Sequence, residues 1–257
     1  MIDACAVVDP GAKLAEGVSV GAFSIIGPDV EIGKDTWIGP HVVINGPTQI
    51  GCGNKIYQFA SLGEAPQDKR YAGEATRLEI GDRNVIREYC TINRGTPNGT
   101  GVTTAGNDNW FMAYTHVAHD CQIGSHITFA NCASLAGHVT VGDYANLAGF
   151  AIVHQFCAIG AYSFCGAGSV VTKHVPPFMM VTGNTPKPRG INSEGLKRRG
   201  YSTATIRTLK EAYKIIYQSN LTLNQAIERL KPMLTECLEL ELLVSFLENN
   251  VGRGIVR

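Results

Sequence analysis

His119, Gly137 and Gln155 follow one another at intervals of 18 residues, as do Asp120, His138 and Phe156, with His116 and His154 flanking them. An imidazole titrates near neutrality and can take a proton from a hydroxyl nucleophile, an effect worth roughly 10²- to 10⁴-fold in rate. Asp120 beside His119 can hold the ring's tautomer. Gly137, lacking a side chain, can offer its N–H to a developing oxyanion. Base, orienting acid and oxyanion donor are the parts of an acyl-transfer site, provided that the two columns stack. A single surface histidine is ordinarily satisfied by local hydrogen bonds, but four on neighbouring coils favour a site. Cys121 is the weaker nucleophile candidate, since its slot points inward.

The interval of 18 is three times a shorter one. An apolar residue returns at every sixth position from Ile2 to Leu62, again at Ile80, Ile86 and Ile92, and from Phe111 to Val171, with Cys165 the one off-type member. Two places before it the side chain is usually small, as at Ser24, Thr36, Ala60, Cys90, Ala133 and Ser169. Neither an α-helix nor an alternating strand has this period. Each hexad reads as a short strand and a turn, and stacked coils would pair their backbones about 4.8 Å apart around one continuous core. The pattern predicts a mainly β protein, a parallel β-helix. Gly often follows the apolar residue, where a corner is expected to need a permissive backbone. Leu62 to Ile80 spans 18 residues and keeps the solenoid in phase, whereas Ile92 to Phe111 spans 19 and breaks it by one.

Two loops interrupt the repeat, at about 63–79 and 95–108. The first is polar, and Gln67, Asp68 and Arg70 on it could bind hydroxyls and a phosphate together. The second, Thr96 to Asn107, is rich in Gly and Thr and carries no assignable chemistry. Residues 1–182 are expected to form the β-helix. Residues 183–257 are expected to form a Pro- and Gly-rich linker, Gly183 to Asn192, and a helical domain. Ser202 can cap a helix to about Tyr217, Thr222 another to about Leu230, and Leu234 to Glu248 reads as a third. These helices would cover an open coil edge. Lys187, Arg189, Lys197, Arg198 and Arg199 could form a solvated face or an anion site.

Composition narrows the partners. With 22 basic and 22 acidic residues there is no net charge to attract nucleic acid or a membrane surface. No signal peptide and no apolar run of roughly 20 residues is present, so a cytoplasmic protein without a transmembrane segment is expected. Eight cysteines without ligand spacing read as mostly reduced core filler.

The segments His116-Val-Ala-His119-Asp120-Cys121, Leu135-Ala-Gly137-His138-Val, Val153-His154-Gln155-Phe156-Cys157 and Asn192-Ser-Glu194-Gly-Leu-Lys-Arg198-Arg199-Gly200 resemble, over the whole chain, the UDP-N-acetylglucosamine O-acyltransferases of lipid A synthesis. The resemblance implies a left-handed coil, and transfer of an (R)-3-hydroxyacyl group from acyl carrier protein to the glucosamine 3-hydroxyl of UDP-N-acetylglucosamine. It implies no cofactor beyond the carrier's thioester. His119 would be the general base, Asp120 its orienting group and Gly137 the oxyanion donor, without an acyl-enzyme. Gln67, Asp68, Arg70, His116, His138, His154 and Gln155 would hold sugar or diphosphate. Asn192, Glu194 and Arg198 would face the nucleotide and pantetheine, and Arg198 and Arg199 the acidic carrier protein. A homotrimer with sites between subunits is implied, with Asp68 and His119 of one site coming from different chains. Ala167 would end the acyl pocket, with Phe164 the next candidate. Asn93 replaces the family's usual His, and Lys69-Arg70 its Leu-Lys. Two other readings remain: a non-catalytic scaffold, and a zinc enzyme similar to the gamma-class carbonic anhydrases, against which the close spacing of His116 and His119 argues.

Overall fold

In a computed structural model, which describes residues 1–250 and 252–257, the hexads form three parallel sheets of nine, eight and ten short strands. The chain visits them in rotation, so strand neighbours come from successive coils, as with Val7 opposite Ile25 and His116 opposite Ser134. Leu62 pairs with Ile92, two hexads beyond the regular register, and Leu78 with Thr103, one hexad and one residue beyond it. Both loops therefore leave the stack unbroken. The apolar column fills the interior, and Ile38, Ile44, Leu62, Phe111, Leu135 and Cys165 are fully buried. The small column lies beside it, with Ser24, Thr36 and Ala133 equally hidden.

The corners differ from expectation. Glycine after the apolar residue does not supply the turn: the left-handed backbone falls two residues later, on Asp, His, Phe, Tyr and Arg, as at Asp120 (φ 59°), His138 (φ 61°) and Phe156 (φ 61°). The glycines answer to a different demand, the approach of the next coil. A Cβ on Gly33 would lie 2.6 Å from the carbonyl carbon of Gly51. The non-glycine corner residues stack on one another along the axis, which suits flat side chains.

Beyond the solenoid, Met179–Thr182 joins the ten-stranded sheet parallel to Phe164–Cys165, and Lys187–Ile191 returns antiparallel beside it. The expected linker is thus partly an edge strand. Four helices follow: α1 (Ser193–Arg198), α2 (Thr203–Gln218), α3 (Leu223–Leu230) and α4 (Leu240–Asn249). Ser202 caps α2, and Thr222 and Gln225 form a capping box on α3, as the sequence predicts. The third expected helix begins only at Leu240, after a 3-10 turn over Lys231–Thr235 that has Pro232 in its first turn. Leu196, Leu209 and Leu243 extend the same apolar cluster that fills the coils.

Candidate active site

The coil register places His119, Gly137 and Gln155 in one column, at the corner where the nine-stranded sheet turns into the eight-stranded one. The His138 N–H donates to the His119 carbonyl at 3.0 Å, and the Phe156 N–H to that of Gly137 at 3.1 Å. His119 Nδ1 lies 2.8 Å from Asp120 Oδ2. An ionised carboxylate only accepts, so Nδ1 carries the proton and Nε2 is left as a base. Asp120 is 2 % exposed. Burial opposes its ionised form, but hydrogen bonds from Thr96 and His119, with His138 nearby, hold its carboxyl below the ordinary carboxylate value.

Gly137 lies under the imidazole, and a Cβ there would be 2.5 Å from His119 Cε1. Among the described residues its own N–H has no hydrogen-bond acceptor. Glycine here both admits the ring and exposes an amide. His138 stands edge-on to His119 with centroids 5.0 Å apart, and stacks on Phe156 at 4.4 Å. Its Nδ1 is 3.8 Å from Asp120, too far for a hydrogen bond. Burial lowers its affinity for a proton, and Asp120 only partly opposes this. His116 bonds Thr91 Oγ1 at 2.7 Å, and burial likewise favours its neutral form. His154 and Gln155 are exposed, with Arg253 Nη1 3.2 Å from His154 Nδ1. Burial pushes the Cys121 thiol up to about 12, which removes it as a nucleophile.

The first loop reaches this corner within the same chain. Asp68 grips Arg70 through two side-chain bonds, at 3.2 and 2.8 Å. These bonds hold its carboxylate well below the usual range, and His119 contributes to the same effect. Asp68 thus lies near enough to the His119 of its own chain for their charges to interact. Gln67 is exposed beside them. Arg94 fixes the loop through the carbonyls of Gly46 and Gly63, at 2.8 and 2.7 Å. Asn93 holds the Ala65 carbonyl at 3.0 Å and is 4 % exposed, so it anchors the loop instead of lining the corner.

The second loop overturns its reading as featureless. Thr96 donates to Asp120 through N–H (3.0 Å) and Oγ1 (2.6 Å), and the Thr100 N–H donates at 3.0 Å. A Cβ on Gly99 would meet the Asp120 carboxylate carbon at 2.3 Å. Gly-rich turns aim successive N–H groups at an anion, and that was the available signal. His119, Asp120 and His138 present donor atoms within 4.8 Å of one another, as a metal would require. Both Asp120 oxygens are already occupied by hydrogen-bond donors, so this donor set suits a proton relay better than zinc.

The remaining predicted residues gather elsewhere. A groove of about 580 Å³ on the ten-stranded sheet is lined by Phe164, Asn192, Glu194, Arg198, Arg199 and Tyr144 among others. Asn192 Oδ1 caps α1 by accepting from the Gly195 N–H at 3.2 Å, while its Nδ2 donates to the Tyr162 carbonyl at 3.0 Å. The Arg199 guanidinium lies over the Tyr144 ring at 4.2 Å. Ala167 is exposed at the corner between the ten- and nine-stranded sheets and does not line this groove, whereas Phe164 does. One chain thus carries the His119 corner and the Arg198 groove at different places around its triangular section.

Residues 174–256 match the family model described as UDP-N-acetylglucosamine O-acyltransferase, domain 2. The chain is 57% identical over 252 residues to the acyl-(acyl-carrier-protein)-UDP-N-acetylglucosamine O-acyltransferase of Halorhodospira halophila, covering 98% of this chain and 97% of the relative. It is 58% identical to that of Alkalilimnicola ehrlichii, covering 100% and 99%. The solved LpxA structure of Acinetobacter baumannii superposes with a TM-score of 0.97 at 47% identity, over 100% of this chain and 99% of that one. The Arabidopsis UDP-N-acetylglucosamine acyltransferase superposes with a TM-score of 0.85 at 33% identity, over 100% of both. The fold is the left-handed parallel β-helix with short C-terminal helices.

Proposed function

The chain belongs to the acyl-(acyl-carrier-protein)-UDP-N-acetylglucosamine O-acyltransferases, and from that premise we propose that His119 is the base that activates the sugar hydroxyl. The observation that carries this reading is the 2.8 Å contact of His119 Nδ1 with a buried, fully bonded Asp120. Nε2 removes the proton of the glucosamine 3-hydroxyl as its oxygen attacks the thioester carbon of a (R)-3-hydroxyacyl carrier protein. The carbonyl oxygen takes up charge against the Gly137 N–H. Collapse breaks the C–S bond, and the thiolate leaves with the proton that His119 holds. Asp120 stabilises the imidazolium throughout. No acyl-enzyme is needed.

Gln67, Asp68, Arg70, His116, His138, His154 and Gln155 contact the sugar and diphosphate in this reading, and Asn192, Glu194 and Arg198 the nucleotide and pantetheine. Arg198 and Arg199 also receive the acidic carrier protein. The product is the first intermediate of lipid A synthesis, made in the cytoplasm.

The His119 corner and the Arg198 groove meet if three chains pack the nine-stranded face of one against the ten-stranded face of the next. Surface chemistry supports this homotrimer. Outward Ile25 and Ile152 mark the first face, and Trp37 and Trp110 the second. Phe23, His41, Phe59, Tyr89 and Tyr114 stack along the corner between them. The eight-stranded face instead carries Lys13, Glu31 and Gln49. With the aromatic corner on the axis, each His119 edge faces a neighbour's Arg198 edge.

The test is acyl transfer from 3-hydroxyacyl carrier proteins of graded chain length to UDP-N-acetylglucosamine. His119→Ala should lose about 10³-fold while staying folded and trimeric. Arg198→Ala should be weak alone, and subunits of both variants mixed in one trimer should regain activity at roughly a quarter of sites. Full activity of His119→Ala would instead place the base elsewhere, and no regain on mixing would refute the shared site.

A further inference from the structure

The loop that reads as featureless in sequence surrounds the carboxylate on which the base depends. Asp120 Oδ2 accepts from His119 Nδ1 at 2.8 Å and from Thr96 Oγ1 at 2.6 Å, so the imidazole and this hydroxyl share one oxygen. The other oxygen, Oδ1, accepts from the N–H of Thr96 and the N–H of Thr100, both at 3.0 Å, while the Thr100 hydroxyl gives its proton to the Val102 carbonyl at 2.7 Å. The backbone of Asp120 is tied to the same loop, its N–H donating to Thr103 Oγ1 at 2.8 Å. A carboxylate held from so many sides cannot rotate, and the donors spread its charge.

We propose that Thr96 is a positioning residue for acyl transfer: its hydroxyl fixes Asp120 Oδ2 against His119 and draws charge from that oxygen, so that the imidazole is held correctly turned. The proposal rests on His119 being the base. Thr100 supports the same carboxylate through its N–H, on the other oxygen. Gly99 keeps the loop close enough, since any Cβ there would collide with the carboxylate.

The sign of the effect follows from the shared oxygen. Without the Thr96 hydroxyl, Oδ2 becomes the stronger acceptor for Nδ1–H and stabilises the imidazolium more. His119 then stays protonated to higher pH, and the acid limb of the rate profile moves up. The other groups near this ring are His138, His116, Asp68 and, through His138, Arg70. A substitution at Thr96 leaves all of them in place.

The experiment compares the pH profile of kcat/KM for wild type, Thr96→Val, Thr96→Ala, Thr96→Ser and Thr100→Val, using the trimeric enzyme and a fixed carrier-protein donor. Thr96→Val should lower kcat about tenfold with KM for the sugar nucleotide within about twofold, and raise the acid limb by about half a pH unit. Thr96→Ser keeps the hydroxyl and should restore both. Thr96→Ala removes the same hydroxyl and provides the answer if Thr96→Val does not fold, whereas Thr100→Val keeps the N–H that holds Asp120 and should leave the limb in place. A profile that stays in place while Thr96→Val loses activity would reduce Thr96 to a packing role and overturn the proposal. So would wild-type activity in Thr96→Val. His119→Ala is run in parallel: if it remains active, the base assignment fails, whereas an inactive His119→Ala with an unmoved Thr96→Val profile sinks only the present inference.

Discussion

The His119 corner and the Arg198 groove are built from opposite materials. The corner is a set of side chains on successive coils, held by the solenoid's own repeat, with its carboxylate hidden and saturated by hydrogen bonds. The groove is a sheet face closed by one short helix, with charged side chains on its rim and a volume of about 580 Å³. Chemistry that moves a proton gains from a geometry that cannot relax. Docking a large acidic partner gains from exposed cations that meet it before contact. The difference teaches that the rigid half should fail sharply when disturbed, and the open half gradually.

The sharpest break is expected at Gly137. Gly137→Ala would thrust a methyl into the His119 ring, and transfer should fall about 10²-fold or more in kcat while the far-ultraviolet spectrum and the trimer persist. A variant with kcat near wild type would mean that the imidazole sits elsewhere during turnover. In the groove, Asn192→Ala removes both the α1 cap and the tether to Tyr162. KM for the sugar nucleotide should rise several-fold with kcat nearly constant, and the folded state should lose about 1 kcal/mol in denaturant titration. A fall confined to kcat would place the groove in the chemistry and erase the distinction.

The smallest effect compares the two regions through pH. His116 and His138 in the corner, and His174 where the helical part joins the coils, all have their proton affinity lowered chiefly by burial. His174 Nδ1 also accepts from the Ala158 N–H at 2.9 Å, which protonation would abolish. Below their ordinary value of 6.5 the unfolded chain binds more protons than the folded one, so stability falls as pH drops through that point. Asp120, whose affinity is also lowered, keeps its contribution until the medium is acid enough to protonate it in the folded state, below its ordinary 3.8. Denaturant midpoints measured from about pH 7.5 to about 5.5 should therefore decline, and His174→Gln should flatten part of the slope. A flat curve in the wild type would mean that the buried rings keep their protons.

The coil repeat made the core and the histidine columns legible, because a fixed period of six places side chains without any knowledge of the turns. Helix starts at Ser202 and Thr222 were equally readable, since capping is a local hydrogen bond. What escaped were features in which one segment answers another. Thr96 and Thr100 find Asp120 across a loop, and no periodicity links them. Asn93 and Arg94 serve the base of the first loop instead of the site. Lys187–Ile191 becomes a strand only because an edge is there to receive it.

The left-handed corners have one more consequence. Most place a Cβ-bearing residue in a backbone region that costs about 1 to 2 kcal/mol in isolation, and at the aromatic corners the offsetting contact comes from the ring one coil away, as His138 finds Phe156 and Tyr144 finds Tyr162 at 4.8 Å. The expense is borne within a coil while the gain is held jointly with the next. A lone coil has no reason to keep its corners, whereas a growing stack has more with every turn added. Nearest-neighbour cooperativity is thereby written into the bends themselves, and the His119 column inherits its order from the coils stacked on either side.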